Sequence, residues 1–478
     1  MIQQGRYLVA LILALWLVGC GAAPGQQPAQ SSLAPINATA TSPASEPISQ
    51  APSQTSEATP SSTPAETPTN PPAATTTDEP ASPSAAPATA TQAAQTSTPA
   101  DPSGLSGELL FLRDSSLIAF DLASQSERVI AEEVRDFSSN ADGSLIAFVS
   151  GSGLTSEIWL VERDGSNLTQ LTNNQRSEGQ AVLSPDGQFI AFSASQLDLE
   201  PKRGWSEWSR WCMNSDVVLL DIITRQELPL GAGCDPAISP DSKRVAFASA
   251  PTEQESSSSD QFVLGKNNTI HLVNRQGQNG WDFAKAGISS DGSDGLLVFG
   301  PAWSSDGNYL AYQRFIGYQA LTDIIYTEVG KSFEGKGVKI ALGAGWMAPM
   351  HFGPQANLLA ISQDNVSDAR GWGGYEQWKA SVVNLSGTHN SLLPQGEITL
   401  ASSLVGELDN GQQMAWAPNG ESLALQLPSD WTPLIDMPNE GRYIDEEPGA
   451  LWLWNPGENP SQKLVDNVDF ASPVLWLP

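Results

Sequence analysis

From residue 105 onward, apolar and polar positions follow one recurring phrase: a short apolar run, a turn of Ser-Pro-Asp-Gly type, then an apolar run ending in Ile-Ala-Phe or a near equivalent. It occurs at 137–148 (FSSNADGSLIAF), 181–192 (AVLSPDGQFIAF), 236–247 (PAISPDSKRVAF), 302–312 (AWSSDGNYLAY), 350–361 (MHFGPQANLLAI) and 415–425 (AWAPNGESLAL). Short apolar runs bounded by turn residues predict strands, and Asp-Gly or Asn-Gly supplies the positive φ that a tight hairpin needs. Several copies lead into a second β-branched or aromatic run and a further turn, as in IWLVERDGSN (158–167), VVLLDIITRQ (217–226), TIHLVNRQGQ (269–278) and LWLWNPGENP (451–460). Each copy therefore predicts a four-stranded antiparallel unit.

Successive turns lie 44, 55, 65, 49 and 64 residues apart. One propeller blade takes roughly 40–50 residues, so the surplus predicts loop insertions. Residues 107–131 read as the second, third and fourth strands of a unit without a first, and Trp476-Leu477-Pro478 matches Trp416-Ala417-Pro418 of the last copy. The expected fold is all-β: a single β-propeller of seven four-stranded blades, closed by the C-terminal strand completing the N-terminal blade, with six or eight blades as the alternatives. The phrase resembles the TolB-like, WD-type propeller repeat, best in LSPDGQFIAF and AWSSDGNYLAY, and the resemblance covers roughly 105–478. Two copies depart from it, Gln355-Ala356 replacing Asp-Gly in the fifth and Ser242 replacing the glycine in the third. The resemblance implies an accessory role in an envelope or transport complex.

In such a blade the Asp-Gly turn joins the first and second strands, and the other connections lie on the opposite face. Insertions are expected there at roughly 195–215, 250–268, 364–377, 394–411 and 428–449. Three of them carry aromatics: Trp205, Trp208 and Trp211; Trp372, Tyr375 and Trp378; and Trp431 with Tyr443. Trp offers a large apolar area with a polar handle, which suits binding sites. Trp205, Trp208, Trp211, Trp372, Tyr375, Trp378 and Trp431 are the candidate ligand-binding residues, for a sugar, peptide or protein. The alternative is that these rings pack the insertions onto the blades.

Upstream of the repeats, Tyr7 to Val18 is apolar, follows Arg6 and ends at Gly19-Cys20. At about a dozen residues it suits a cleaved secretory signal over 1–20 and is short of the roughly 20 needed to span a bilayer. Leu17-Val18-Gly19-Cys20 resembles the bacterial lipobox, which implies lipidation of Cys20 and a membrane-anchored protein on the outer face of a bacterial membrane. Residues 21–104 are almost wholly Pro, Thr, Ser, Ala and Gln; they offer too little apolar surface to offset ordering and predict a disordered stalk. The remainder, 105–478, holds 47 acids against 22 bases. Such a surface repels polyanions, which argues against nucleic acid as a partner.

Cys212 and Cys234 are the cysteines left in an exported chain, and they predict either one disulfide or two buried thiols. His271, His351 and His389 lie far apart in sequence, so no metal and no cofactor is expected. No Gly-x-Ser-x-Gly elbow and no His-Glu-x-x-His appears, and the turn acids read as structural, so no catalytic residue is assigned. The expected function is a non-catalytic surface lipoprotein binding an envelope protein, peptide or glycan. The alternative is an extracellular glycoside hydrolase or lyase using acids such as Asp364, Asp368, Glu376, Asp436, Asp445, Glu446 and Glu447, since paired carboxylates at ~5–9 Å suit glycoside hydrolysis.

Overall fold

The computed structural model describes residues 105–202, 204–256, 263–286, 297–315, 321–330, 338–344, 346–347, 349–364, 378–385, 397–399, 404–431 and 448–478. The expected signal, lipobox cysteine and stalk lie outside these residues. The described chain is all-β in a β-propeller arrangement, with one α-helix.

Its strands meet neighbours in chain order. β1 (Glu108–Arg113), β2 (Ser116–Asp121) and β3 (Ser126–Ala131) form one meander, and β4 (Val134–Ser139), β5 (Leu145–Ser150), β6 (Glu157–Glu162) and β7 (Thr169–Gln170) the next. β8 (Ser177–Leu183), β9 (Phe189–Ser195) and β10 (Ser215–Asp221) continue into the long β11 (Glu227–Ile238). The first half of β11 pairs with β10, and its second half pairs with β12 (Arg244–Ser249). The hairpin of β13 (Glu253–Ser256) and β14 (Val263–Lys266) interrupts this meander before β15 (Thr269–Asn274) and β16 (Trp281–Lys285) complete it. β17 (Leu297–Trp303), β18 (Tyr309–Phe315), β19 (Leu321–Glu328) and β20 (Val338–Ala344) follow in order. Then β21 (Trp346–Met347) and β22 (His351–Phe352) share one position beside β23 (Leu358–Asp364), which pairs with β24 (Trp378–Asn384). β25 (Glu397–Thr399) leaves that order to pair with β20, and β26 (Leu404–Asp409) returns to β24. β27 (Met414–Trp416), β28 (Leu423–Pro428), β29 (Gly449–Trp454) and β30 (Gln462–Val468) form the last meander. β31 (Leu475–Leu477) then pairs with β1 through Glu108↔Leu477, Leu109↔Trp476 and Leu110↔Leu475.

The core lies between these meanders, because alternate residues of a strand face opposite neighbours. Leu110, Leu117 and Ile130 meet Phe137, Ile146 and Val161 of the following meander, whereas Leu109, Phe111 and Ile118 face the last one at Ala424, Leu451 and Val468. The same two-sided burial recurs at every junction: β5 and β6 with β9, β9 and β10 with β12, β12 and β15 with β17 and β18, β18 and β19 with β23, and β23 and β24 with β28.

The repeated turn explains itself locally. In the second copy Ser184 Oγ donates to Asp186 Oδ1 (2.7 Å) and accepts from Phe189 N (3.0 Å), while Gly187 N donates to Ser184 O (2.8 Å). Ser239 and Ser304 repeat the pattern with Asp241 and Asp306, at 2.6 Å each. These bonds hold the Asp306 carboxyl below its ordinary range although its partial burial acts the other way. Ser242, the departure in the third copy, still adopts the left-handed conformation at φ 56°, and its Oγ accepts Asp186 N of the preceding turn at 3.0 Å. The serine thus takes a conformation that glycine adopts with less strain, and its hydroxyl ties two turns together.

Candidate functional site

The expected insertions at 195–215 and 250–268 join second to third strands, at the end of the sheets away from the Asp-Gly turns, but they are not simple loops. The 195–215 segment contains α1 (Trp205–Met213), which the β-strand reading did not anticipate. Its signal was present: Trp205, Trp208 and Trp211 stand three apart, and Cys212 follows Trp208 by four, so they share one helical face. Glu207 in the first turn and Arg210 in the last complement the helix dipole, and Asn214 Nδ2 closes the end by donating to Arg210 O (2.7 Å). The 250–268 segment contains the β13–β14 hairpin. The 394–411 segment is not an insertion between units, since it holds the paired strand β26.

α1 sits against β11 and β14. A disulfide joins Cys212 of the helix to Cys234 of β11, and Ser209 Oγ accepts Gly265 N of β14 at 3.0 Å. Trp208 is 2 % exposed and Trp211 1 %. The Trp208 ring lies 5.4 Å from that of Phe299. Neither ring has a free face for a ligand; both are spent holding the helix down.

Beneath them lies a polar network that the sequence reading did not single out. The leading strands of successive meanders carry register breaks at Val134/Asp136, Gly179/Val182, Cys234/Ala237 and Phe299/Ala302. Gln180, Asp235 and Gly300 take φ of 55°, 53° and 54° there, the left-handed geometry of a bulge. This turns Gln180 and Asp235 towards each other. The Asp235 carboxylate accepts from Gln180 Nε2, from Trp208 Nε1 (2.7 Å) and from Gly300 N (3.1 Å). Gln180 Oε1 accepts from Trp211 Nε1 (3.0 Å), Ser193 Oγ (2.9 Å) and Asp235 N (3.1 Å). Burial pushes the Asp235 carboxyl above its ordinary range, against the pull of these donors. Such an array can hold a charge at a fixed point and orient α1 above it.

Two further groups sit at the same end. Burial raises the Asp136 carboxyl to about 6, partly opposed by the backbone N–H groups of Phe137 and Ala181. Glu178 is fully buried, which pushes its carboxyl up; Thr172 Oγ1 (2.6 Å), Asn174 Nδ2 (2.8 Å) and Arg176 (2.9 Å) counter that push. Arg176 also meets Glu227 at 2.7 Å.

The other expected site residues are scattered. Trp378 is the first residue of β24, 0 % exposed, and meets Phe470 edge-on with ring centroids 6.3 Å apart. Trp431 is half-buried and packs edge-on against Trp452 at 5.4 Å. Trp205 lies on α1. Trp372, Tyr375, Cys20 and the acids Asp368, Glu376, Asp436, Asp445, Glu446 and Glu447 lie outside the described residues. Among the described residues, no group of three His, Cys, Asp or Glu gathers as metal ligands.

No family model matches the chain. A protein TolB homolog of Chlorobium chlorochromatii is 29% identical over 139 residues, covering 23% of this chain and 32% of the relative, so the chain spans about a third of that protein's length. TolB from Acinetobacter baumannii, at 12% identity, aligns with a TM-score of 0.39 over 78% of this chain and 82% of its own. An oligogalacturonate lyase from Vibrio parahaemolyticus, at 13% identity, aligns with a TM-score of 0.45 over 65% and 80%. In its repeat and in this partial match, the described chain is similar to TolB-type propellers.

Proposed function

We propose that this chain is a non-catalytic, lipid-anchored envelope protein whose propeller binds a protein, peptide or glycan through the face opposite its Asp-Gly turns. The observation that carries the reading is the extra chain held in the second-to-third-strand connections. The turns at Gly143, Gly187, Gly307 and Gly420 are tight, whereas the second-to-third-strand connections at the other end hold α1, the β13–β14 hairpin and the segments 365–377 and 429–448. Long loops on a rigid scaffold are where propellers place recognition. The leader ending in Gly19-Cys20 and the apolar-poor segment 21–104 support an acylated anchor and a flexible spacer. Seven blades are the count we favour, supported by seven hydrophobic clusters that each bridge neighbouring meanders.

Buried Trp208, Trp211 and Trp378 are unsuitable for testing binding, because their removal would disturb α1 and β24 themselves. The test replaces 365–377 in the full chain by a Gly-Ser linker of equal length. Parent and variant are then screened against peptidoglycan fragments, glycans and envelope-protein extracts. Binding lost in a variant that melts like the parent supports the reading. Equal binding by both, or turnover of a glycan by the parent, overturns it.

A further inference from the structure

We propose that the outer edge of β20 is a strand-accepting surface whose occupant is this chain's own β25, held there by an exchangeable main-chain pairing.

A sheet edge presents unpaired N–H and C=O groups, and proteins blunt such edges by charge, shortness or coverage. Most outer strands here use the first two. β3 carries Glu127 and Arg128, β16 Asp282 and Lys285, β26 Glu407 and Asp409, and β30 Lys463 and Asp466, while β7 has only two residues. β20, VKIALGA, is seven residues long with Lys339 as its sole charge. It is also the outer strand that, among the described residues, receives a fifth strand.

That strand comes from elsewhere. β25 belongs to the connection between β24 and β26 of the next meander, and it lies parallel to β20 with Lys339↔Glu397, Ile340↔Ile398 and Ala341↔Thr399 as partners. Its sequence, Glu-Ile-Thr, places an acid opposite the edge's lysine and two β-branched residues where strands favour them. Three residues in parallel pairing make only a few hydrogen bonds, whose net gain is small beside the conformational entropy lost in ordering the segment. The resident strand is therefore marginal and exchangeable with a free copy of the same segment. This edge is separate from the insertion face, so the two proposals stand independently.

The test uses the full chain and a labelled peptide of residues 395–402, QGEITLAS. Alternate strand residues face one neighbour, so I398P with T399P removes a donor towards β20 whichever residue faces it. The double variant is expected to bind the peptide at least tenfold more tightly than the parent by fluorescence anisotropy, and a further K339E change should reverse part of that gain. Hydrogen exchange on the unaltered chain, which needs no variant, is expected to show protected amides in β20 that exchange more slowly than those in β25. A folded double variant that binds no peptide, a parent that binds equally well, or β20 amides exchanging like loop amides overturns the proposal.

Discussion

Asp136 and Asp235 show what a register break does to a single side chain: it turns a carboxylate into a place water reaches poorly. For Asp136 the folded value of about 6 exceeds the ordinary 3.8, so the protonated form is the one that folding favours. Its contribution to stability is fully present below pH 4 and is lost as pH rises through 6. Asp136→Asn should remove that slope and stabilise the protein at pH 7.5 by on the order of 2 kcal/mol, as denaturant midpoints measured from pH 4 to 8 would show. Asp235 has a different dependency, because its charge rests on the Trp208 indole N–H. Trp208→Phe keeps most of the ring but leaves a charged acceptor short of one donor. A loss of about 1.5–3 kcal/mol is expected at pH 7.5 in chemical denaturation, shrinking in acid as the carboxyl protonates.

At the scale of elements, the cysteine bridge and the helix it holds form one device. The bridge closes a loop 22 residues apart in sequence, a size for which the chain-entropy estimate is about 3 kcal/mol. Replacing both cysteines by serine should lower the denaturant midpoint accordingly. Amides 205–213 should then exchange faster than those of β12, which marks α1 as the first part to loosen. How far the sequence revealed these elements depended on the range of the information. The Ser-x-Asp-Gly turns were legible because each hairpin is fixed by hydrogen bonds within five residues, as Ser184, Asp186 and Phe189 show. α1 was partly legible in its Trp spacing but was hidden by the β pattern around it. The Asp235 network joins residues 55 and 65 apart in sequence, and no local pattern encodes that. The prolines at 236 and 301 were the available hint, because proline inside a sheet marks a bulge. The spacing of Trp208, Trp211 and Trp378 left open whether they face a ligand or pack onto the blades; all three are buried, the first two on α1 and the third at the start of β24.

At the scale of the whole described chain, stability depends on pairing residues more than 350 positions apart. Asp469 accepts the N–H groups of Asp114 and Ser115 at 2.8 and 2.9 Å, and Arg113 donates to the carbonyls of Asp466 and Asn467. Deleting 475–478 would remove β31, unpair β1 along Glu108–Leu110 and expose Leu110 and Leu117. The expected result is a loss of the single cooperative transition, with early dye-binding and aggregation on heating, visible by calorimetry beside the intact chain.

The same pairing sets a direction. Glu108, at the start of β1, is opposite Leu477, whose side chain abuts the Gly143 turn. The polypeptide thus enters the propeller at the end bearing the Asp-Gly turns. The first described strand and the last one therefore share that end of the sheets, whereas α1 and the β13–β14 hairpin stand at the other, so the ring is sealed at one rim and elaborated at the opposite one.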